Sequence, residues 1–192
     1  MVAFWQALVL VFLAEMGDKT QLVSLAFATR YGPLTVLGGV ALATLVVHLV
    51  SVAIGELLGL TLPYFWVNVL AGLAFLAFGV WTVRGDQLDD DPAKRWSWSS
   101  PLLAVTAAFA LAELGDKTML ATITVASQHQ AFVPVWIGST LGMVVADGLA
   151  IALGVVLGKR LPAGAVRLGA ATIFCAFGLW TLAHALLRGA PS

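Results

Sequence analysis

Charged residues are scarce in this sequence of 192 residues, which holds ten Lys and Arg, ten Asp and Glu, and a hydrophobic fraction of 60%. Soluble domains carry about 25% charged residues, so these few charges cannot cover the surface of a water-soluble fold. Because the net charge is zero, the chain also lacks the basic excess that phosphate binding needs, which excludes nucleic acid as a partner. The composition therefore favours a membrane protein.

Cysteine pairs and alternating polarity are missing as well. The single cysteine, Cys175, has no partner for an intrachain disulfide. Transmembrane strands alternate apolar and polar residues over about ten positions, whereas the apolar runs of this sequence are apolar on every side. We therefore predict an all-α membrane protein.

Polar residues and Gly/Pro turns separate six apolar runs, each long enough to cross a hydrocarbon core of about 30 Å as a helix. The first run has no basic residue before it and leads into Glu15 and Asp18 rather than a cleavage site, so we interpret it as a retained span. The predicted transmembrane helices cover residues 2–28, 34–59, 63–84, 100–127, 132–158 and 163–187.

The sequence also contains an internal repeat. Residues 14–20, Ala-Glu-Met-Gly-Asp-Lys-Thr, recur 98 residues later as Ala-Glu-Leu-Gly-Asp-Lys-Thr. Because each half has an odd number of spans, the second half enters the membrane from the opposite side, and such inverted repeats are typical of secondary transporters. The predicted units are a first three-helix repeat at 1–86, a cytoplasmic linker at 87–99 and an inverted second three-helix repeat at 100–192.

Basic residues in the connections predict the orientation of the chain. One side of the membrane collects Arg30, Arg84, Lys94, Arg95, Lys159, Arg160 and Arg167, and the other side has Arg188. The positive-inside rule places the larger group in the cytoplasm. Both termini are then periplasmic or extracellular, and the central loop is cytoplasmic.

Each copy of the repeated motif places two acids near the middle of a predicted span. A charge at that depth costs at least about 2.5 kcal/mol, so intramembrane acids are functional candidates that face one another or a wet cavity. The pseudo-two-fold axis would bring both copies together, and clustered oxygens suit hard divalent cations. The candidate metal ligands are Glu15, Asp18, Glu113 and Asp116. Without metal these carboxylates cannot all stay ionised, so protons would compete with the metal for the site.

Further polar residues near the motifs are candidates for a supporting role or for the ion pathway. They are Lys19, Thr20, Gln21, Ser24, Lys117, Thr118, Thr122, His48 and Asp147. The lysines also fit a buried ion-pair network that only fixes helix packing. His48 aligns with Asp147 at a shift of 99 residues, and it is as well explained by packing as by a role as proton relay or ligand.

Glycines mark the places where helices break or approach closely. Gly17 and Gly115 lie inside the two motifs, where we predict a hinge or a packing role. In a continuous helix the Glu and Asp of each motif would share one face. A kink or break at the glycine is the alternative. The G-x-x-x-G pairs Gly55/Gly59 and Gly154/Gly158 predict packing within the monomer first and a homodimer second.

Two copies of Glu-φ-Gly-Asp-(Lys/Arg)-(Thr/Ser), each on the first span of a three-span repeat, resemble the second calcium:cation antiporter family, with members in bacteria, chloroplasts and the Golgi. The resemblance covers nearly the whole chain. It implies export of Mn²⁺, with Ca²⁺ as a second substrate, in exchange for H⁺ across a bacterial inner membrane, without a cofactor. The functional positions it implies are Glu15, Gly17, Asp18, Lys19, Thr20, Glu113, Gly115, Asp116, Lys117 and Thr118.

Two other functions remain alternatives at this point. An intramembrane metal-dependent hydrolase would use the acids to hold a catalytic metal, but the sequence has no paired His ligands and no Gly-flanked Ser nucleophile. An exporter of small solutes such as amino acids would share the architecture but needs more neutral polar groups and fewer acids. The residues do not decide between Mn²⁺ and Ca²⁺, although a ligating His48 would favour Mn²⁺.

Overall fold

The computed structural model describes residues 1–16, 18–84, 100–157 and 163–188. These residues form α-helices without a strand, which confirms the predicted all-α class. The predicted linker at 87–99 and the predicted hinge Gly17 lie outside the described residues. The helices are α1 (Val2–Glu15), α2 (Lys19–Tyr31), α3 (Pro33–Thr61), α4 (Tyr64–Arg84), α5 (Pro101–Glu113), α6 (Lys117–His129), α7 (Phe132–Leu157) and α8 (Ala163–Arg188).

Within the described ranges, four helices contain a stretch long and apolar enough to cross a membrane, and α1 and α5 are shorter apolar helices. Large apolar side chains on their outer faces are exposed, such as Leu34, Leu57 and Leu187, as expected for surfaces in contact with lipid. The protein is therefore a multi-pass membrane protein. The stretches that qualify are Pro33–Thr61, Tyr64–Val83, Phe132–Ala152 and Ala171–Arg188.

The first and fourth predicted spans are each broken into two helices at the motif. Helix α1 ends at Glu15 and α2 begins at Lys19, while α5 ends at Glu113 and α6 begins at Lys117. In the second break Gly115 has a φ of 83°, a left-handed conformation in which an L side chain is strained. The motif Glu and Asp therefore flank a turn instead of sharing one helix face.

Close glycine contacts set the position of α3 against the second broken helix. A Cβ added at Gly55 would lie 2.4 Å from the Ile123 carbonyl oxygen, and one at Gly59 would lie 2.4 Å from the Ser127 carbonyl oxygen. Because the contact advances by four residues on both helices, α3 runs parallel to α6. This glycine pair therefore packs within the chain, as predicted.

The first broken helix has the equivalent neighbour in α7. A Cβ added at Gly138 would lie 2.4 Å from the Phe4 carbonyl oxygen, and one at Gly142 would lie 2.5 Å from the Leu8 carbonyl oxygen. Helix α7 therefore runs parallel to α1. The predicted glycine pair of α7, Gly154/Gly158, lies outside the part of the chain whose side chains are described.

Helices α4 and α8 pack against each other beside the broken helices. A Cβ at Gly72 would meet Leu182, and one at Gly79 would meet Cys175, so this pair is antiparallel. The buried apolar core consists of two clusters, and each contains side chains from both halves of the sequence. The apolar packing therefore holds the two motif breaks against each other.

Candidate functional site

The two motif breaks share the same backbone features among the residues that the structure describes. The amide N–H of Asp18 donates to the Glu15 carbonyl at 3.0 Å, and that of Asp116 donates to the Glu113 carbonyl at 3.2 Å. The residue after each glutamate is extended, with ψ of 119° at Met16 and 111° at Leu114. The repeated sequence thus folds into a repeated turn.

Both motif glutamates are buried, and only one of the two carboxylate oxygens of each accepts a hydrogen bond from a described residue. The Thr20 hydroxyl donates to Oε1 of Glu15, and the Thr118 hydroxyl donates to Oε2 of Glu113. The glutamates are 0% and 1% exposed, and the second oxygen of each has no hydrogen-bond partner among the described residues. A buried carboxylate oxygen without a partner is costly, so these oxygens are places for a proton or a cation.

The two motifs lie together in one buried region. Lys117 Nζ of the second motif is 2.8 Å from Asp18 Oδ1 of the first, and both side chains are buried. Glu15 has Glu113 and Asp18 among its like-charged neighbours. Asp116 is close enough to interact electrostatically with both Glu113 and Lys117. The structure therefore brings together the acids of both motifs, and a buried ion pair joins the two halves.

A fifth carboxylate belongs to the same region. Asp147 of α7 is fully buried and accepts a hydrogen bond at Oδ1 from the Ser24 hydroxyl of α2. Its Oδ2 has no partner among the described residues, and its like-charged neighbours include Asp18 and Glu15. Both Ser24 and Asp147 are candidates from the sequence, but their pairing cannot be predicted from it, because they lie in different halves of the chain.

The corresponding pair in the other half is not formed. His48, the counterpart of Asp147, is fully buried, and neither ring nitrogen has a partner among the described residues. Thr122, the counterpart of Ser24, donates instead to the backbone carbonyl of Thr118 at 2.9 Å. The two halves therefore differ at this position both in residue type and in bonding.

Two other candidates are placed near the breaks. Gln21 Nε2 donates to the Ala146 carbonyl at 3.4 Å, which ties α2 to α7 next to Asp147. Lys19 begins α2, but its side chain lies outside the described part of the structure. Gln21 therefore serves helix packing in this arrangement.

The acids do not form a closed metal cage by themselves. Within the described ranges, no three His, Cys, Asp or Glu side chains converge so as to hold one ion. A cation between the motifs would therefore need neutral oxygens as well. The threonine hydroxyls bonded to the glutamates and the backbone carbonyls released by the helix breaks are such oxygens.

Comparison with known proteins gives a consistent result over nearly the whole chain. The model of a protein family described as "Divalent cation/proton antiporter GDT1" matches two stretches of the chain, residues 3–90 and 101–188. A protein of Vibrio cholerae named "Putative manganese exporter" is 34% identical over 173 residues, covering 89% of this chain and 86% of its own length.

Other relatives come from a cyanobacterium and a plant. A GDT1-like protein of Synechocystis is 29% identical over 93% of this chain and 97% of its own length. GDT1-like protein 5 of Arabidopsis thaliana is 25% identical over 93% of this chain and 94% of its own length. No solved structure matches the chain.

Proposed function

Because the chain belongs to the GDT1 family of divalent cation/proton antiporters, we propose that it exports Mn²⁺ from the cytoplasm in exchange for H⁺, with Ca²⁺ as a second substrate. The name of the Vibrio cholerae relative supports Mn²⁺ as the main cargo. The family consists of transporters, so the protein is not an enzyme, and the metal is a transported substrate rather than a cofactor. The hydrolase alternative is therefore rejected.

The observation that carries the proposal is the pair of facing helix breaks with unpartnered carboxylate oxygens. Glu15, Glu113 and Asp116 each keep one buried oxygen without a hydrogen-bond partner among the described residues. We place the cation between the two breaks, where these acids and Asp18 would have to draw closer around it than they lie in this structure, with the hydroxyl of Thr20 or Thr118 as a neutral ligand. The five buried acids also fit a cation better than an amino acid.

The same buried carboxylate oxygens explain the exchange of the cation for protons. When the cation leaves, the buried carboxylates repel one another and lack water to solvate their charge. Protons relieve both effects, so metal and protons bind to one set of oxygens in turn. Asp147, whose Oδ2 is also buried and unpartnered among the described residues, belongs to this proton-accepting set.

We propose that the chain forms six spans as two inverted three-helix repeats, residues 1–86 and 100–192, that rock against each other. The parallel packing of α3 on α6 and of α7 on α1 supports opposite directions for the two broken helices, because α3 follows α2 after a single turn residue. Two matches to one family, over 3–90 and 101–188, support the duplication.

The proposed location is a bacterial inner membrane, with both termini outside and the central loop in the cytoplasm. The excess of Lys and Arg in the connections on one side supports this orientation. The homodimer stays a prediction, since the described glycine pair of α3 is used within the chain.

A flux assay tests the function. We expect purified protein in vesicles with an acidic lumen to take up Mn²⁺, to make the lumen more alkaline as it does so, and to stop when an ionophore removes the pH gradient. Asp116→Asn should abolish the uptake, whereas Glu56→Gln, outside both motifs near the end of α3, should keep it. Mn²⁺ flux that does not depend on the pH gradient, or that persists in Asp116→Asn, would contradict the proposal. Competition with Ca²⁺, Mg²⁺ and amino acids ranks the substrates.

A further inference from the structure

The register of α3 against α6 fixes the level of His48. Gly55 contacts Ile123, and seven residues earlier, two helical turns away on the same face, α3 carries His48. Seven residues before Ile123 the other chain segment carries Asp116, immediately before α6 begins. Because the two helices run parallel, the imidazole lies at the level of the second motif break.

The bonding of His48 is unusual for a residue that serves only packing. A buried imidazole normally satisfies its nitrogens, since a buried polar atom without a partner is costly. Both nitrogens of His48 lack a partner among the described residues, and the side chain is 0% exposed. The hydroxyl of Thr122, the counterpart of Ser24, bonds within its own helix. The ring therefore keeps a free lone pair at the level of the second motif break.

In the second half of the chain, the position equivalent to His48 is occupied by Asp147. Asp147 supplies a carboxylate at the first break and is held by Ser24. One half of the site thus offers oxygen only, while the other offers oxygen and one nitrogen.

We infer that His48 is the residue that sets the preference of the site for Mn²⁺ over Ca²⁺, by donating a ring nitrogen to the cation when it sits at the second break. This inference rests on the proposed transport of divalent cations through the motif acids. Imidazole binds first-row transition metals well, whereas Ca²⁺ and Mg²⁺ prefer oxygen. A single nitrogen ligand therefore discriminates between cations that the carboxylates alone would treat alike.

Pulsed EPR of Mn²⁺ bound to the full-length protein tests the contact directly. The chain has three histidines, so the double variant His129→Gln/His184→Gln leaves His48 as the only one. We expect ¹⁴N couplings of a bound imidazole in this double variant, changed to ¹⁵N couplings when histidine is ¹⁵N-labelled, and lost in His48→Gln. Bound Mn²⁺ without such couplings in the double variant would overturn the inference.

A residue exchange tests the selectivity. His48→Asp gives the second half the carboxylate that the first half has at Asp147, and should lower the ratio of Mn²⁺ to Ca²⁺ flux about tenfold while Ca²⁺ transport continues. An unchanged ratio in both His48→Asp and His48→Gln would overturn the inference.

The outcomes separate this inference from the proposed function. If Mn²⁺ binds and is exchanged for protons but shows no histidine coupling, antiport stands and the role of His48 fails. If Mn²⁺ neither binds nor moves in the wild-type protein, the proposed function fails, and the inference fails with it.

Discussion

The two broken helices agree in their turns and differ in their neighbours. At both breaks the glutamate accepts a hydrogen bond from the threonine five residues later, and one of its oxygens has no partner among the described residues. Beside the first break a carboxylate, Asp147, is held by a serine, while beside the second an imidazole, His48, is held by no described residue. We expect the shared part to serve the common chemistry of cation binding and the differing part to give the two halves separate tasks.

The largest expected effect tests whether the halves contribute equally. Glu15→Gln and Glu113→Gln each remove one buried carboxylate charge from the same region, so each should lower Mn²⁺ flux at least about 100-fold. The flux assay in vesicles measures this, with Glu56→Gln as the matched control. A large loss in one variant and normal flux in the other would show that the halves work separately.

The ion pair between the halves should matter for stability. Lys117→Met removes the buried ion pair with Asp18, which costs about 3 kcal/mol of folding free energy. Thermal unfolding in detergent should show a lower midpoint for this variant. The double variant Lys117→Met/Asp18→Asn should lose much less stability than the sum of the losses in the two single variants, because both changes remove the same interaction. Additive losses would contradict a direct pair.

A matched pair of hydroxyl deletions probes the difference between the halves. Ser24→Ala removes the donor to Asp147 and should weaken Mn²⁺ transport about tenfold, as the loss of a supporting hydrogen bond at a metal site does. Thr122→Ala removes a hydroxyl that bonds its own helix, so transport should change by less than about twofold. Initial rates over a range of Mn²⁺ concentrations measure both. Equal effects would mean that the halves are more alike than their bonding indicates.

A last comparison concerns packing alone and leaves the site acids unchanged. Gly55→Ala places a Cβ 2.4 Å from the Ile123 carbonyl oxygen, a backbone atom that cannot move cheaply, and should destabilise the fold by about 1–3 kcal/mol. Gly38→Ala on the same helix meets only a side-chain carbon of Leu102 at 3.4 Å and should be nearly neutral. Unfolding midpoints compare the two, and similar values would show that α3 and α6 separate easily.

Much of the fold could be predicted from apolar runs because membrane helices must satisfy their backbone within one segment. The breaks at the motifs were harder, since an apolar run of normal length continues through them. Gly115 signalled the second break, but only the structure shows a left-handed φ of 83° there. Hydropathy alone thus predicts where a span lies and not whether it is continuous.

The site acids could be predicted because a charge within an apolar run is conspicuous, and the repeat identified both copies. Their pairing across the halves could not. The contacts of Lys117 with Asp18 and of Ser24 with Asp147 join residues 99 and 123 positions apart, and nothing in the local pattern selects them. The different bonding of His48 and Asp147 likewise depends on which neighbour each helix meets.

The number of Mn²⁺ ions bound per protein tests the central claim most directly, because that claim is one cation shared between two motif breaks. Titration calorimetry of the detergent-purified protein at neutral pH should give one Mn²⁺ per chain, and the binding should vanish in Glu15→Gln as well as in Glu113→Gln. Two bound ions, each lost only in the variant of its own half, would contradict a shared site.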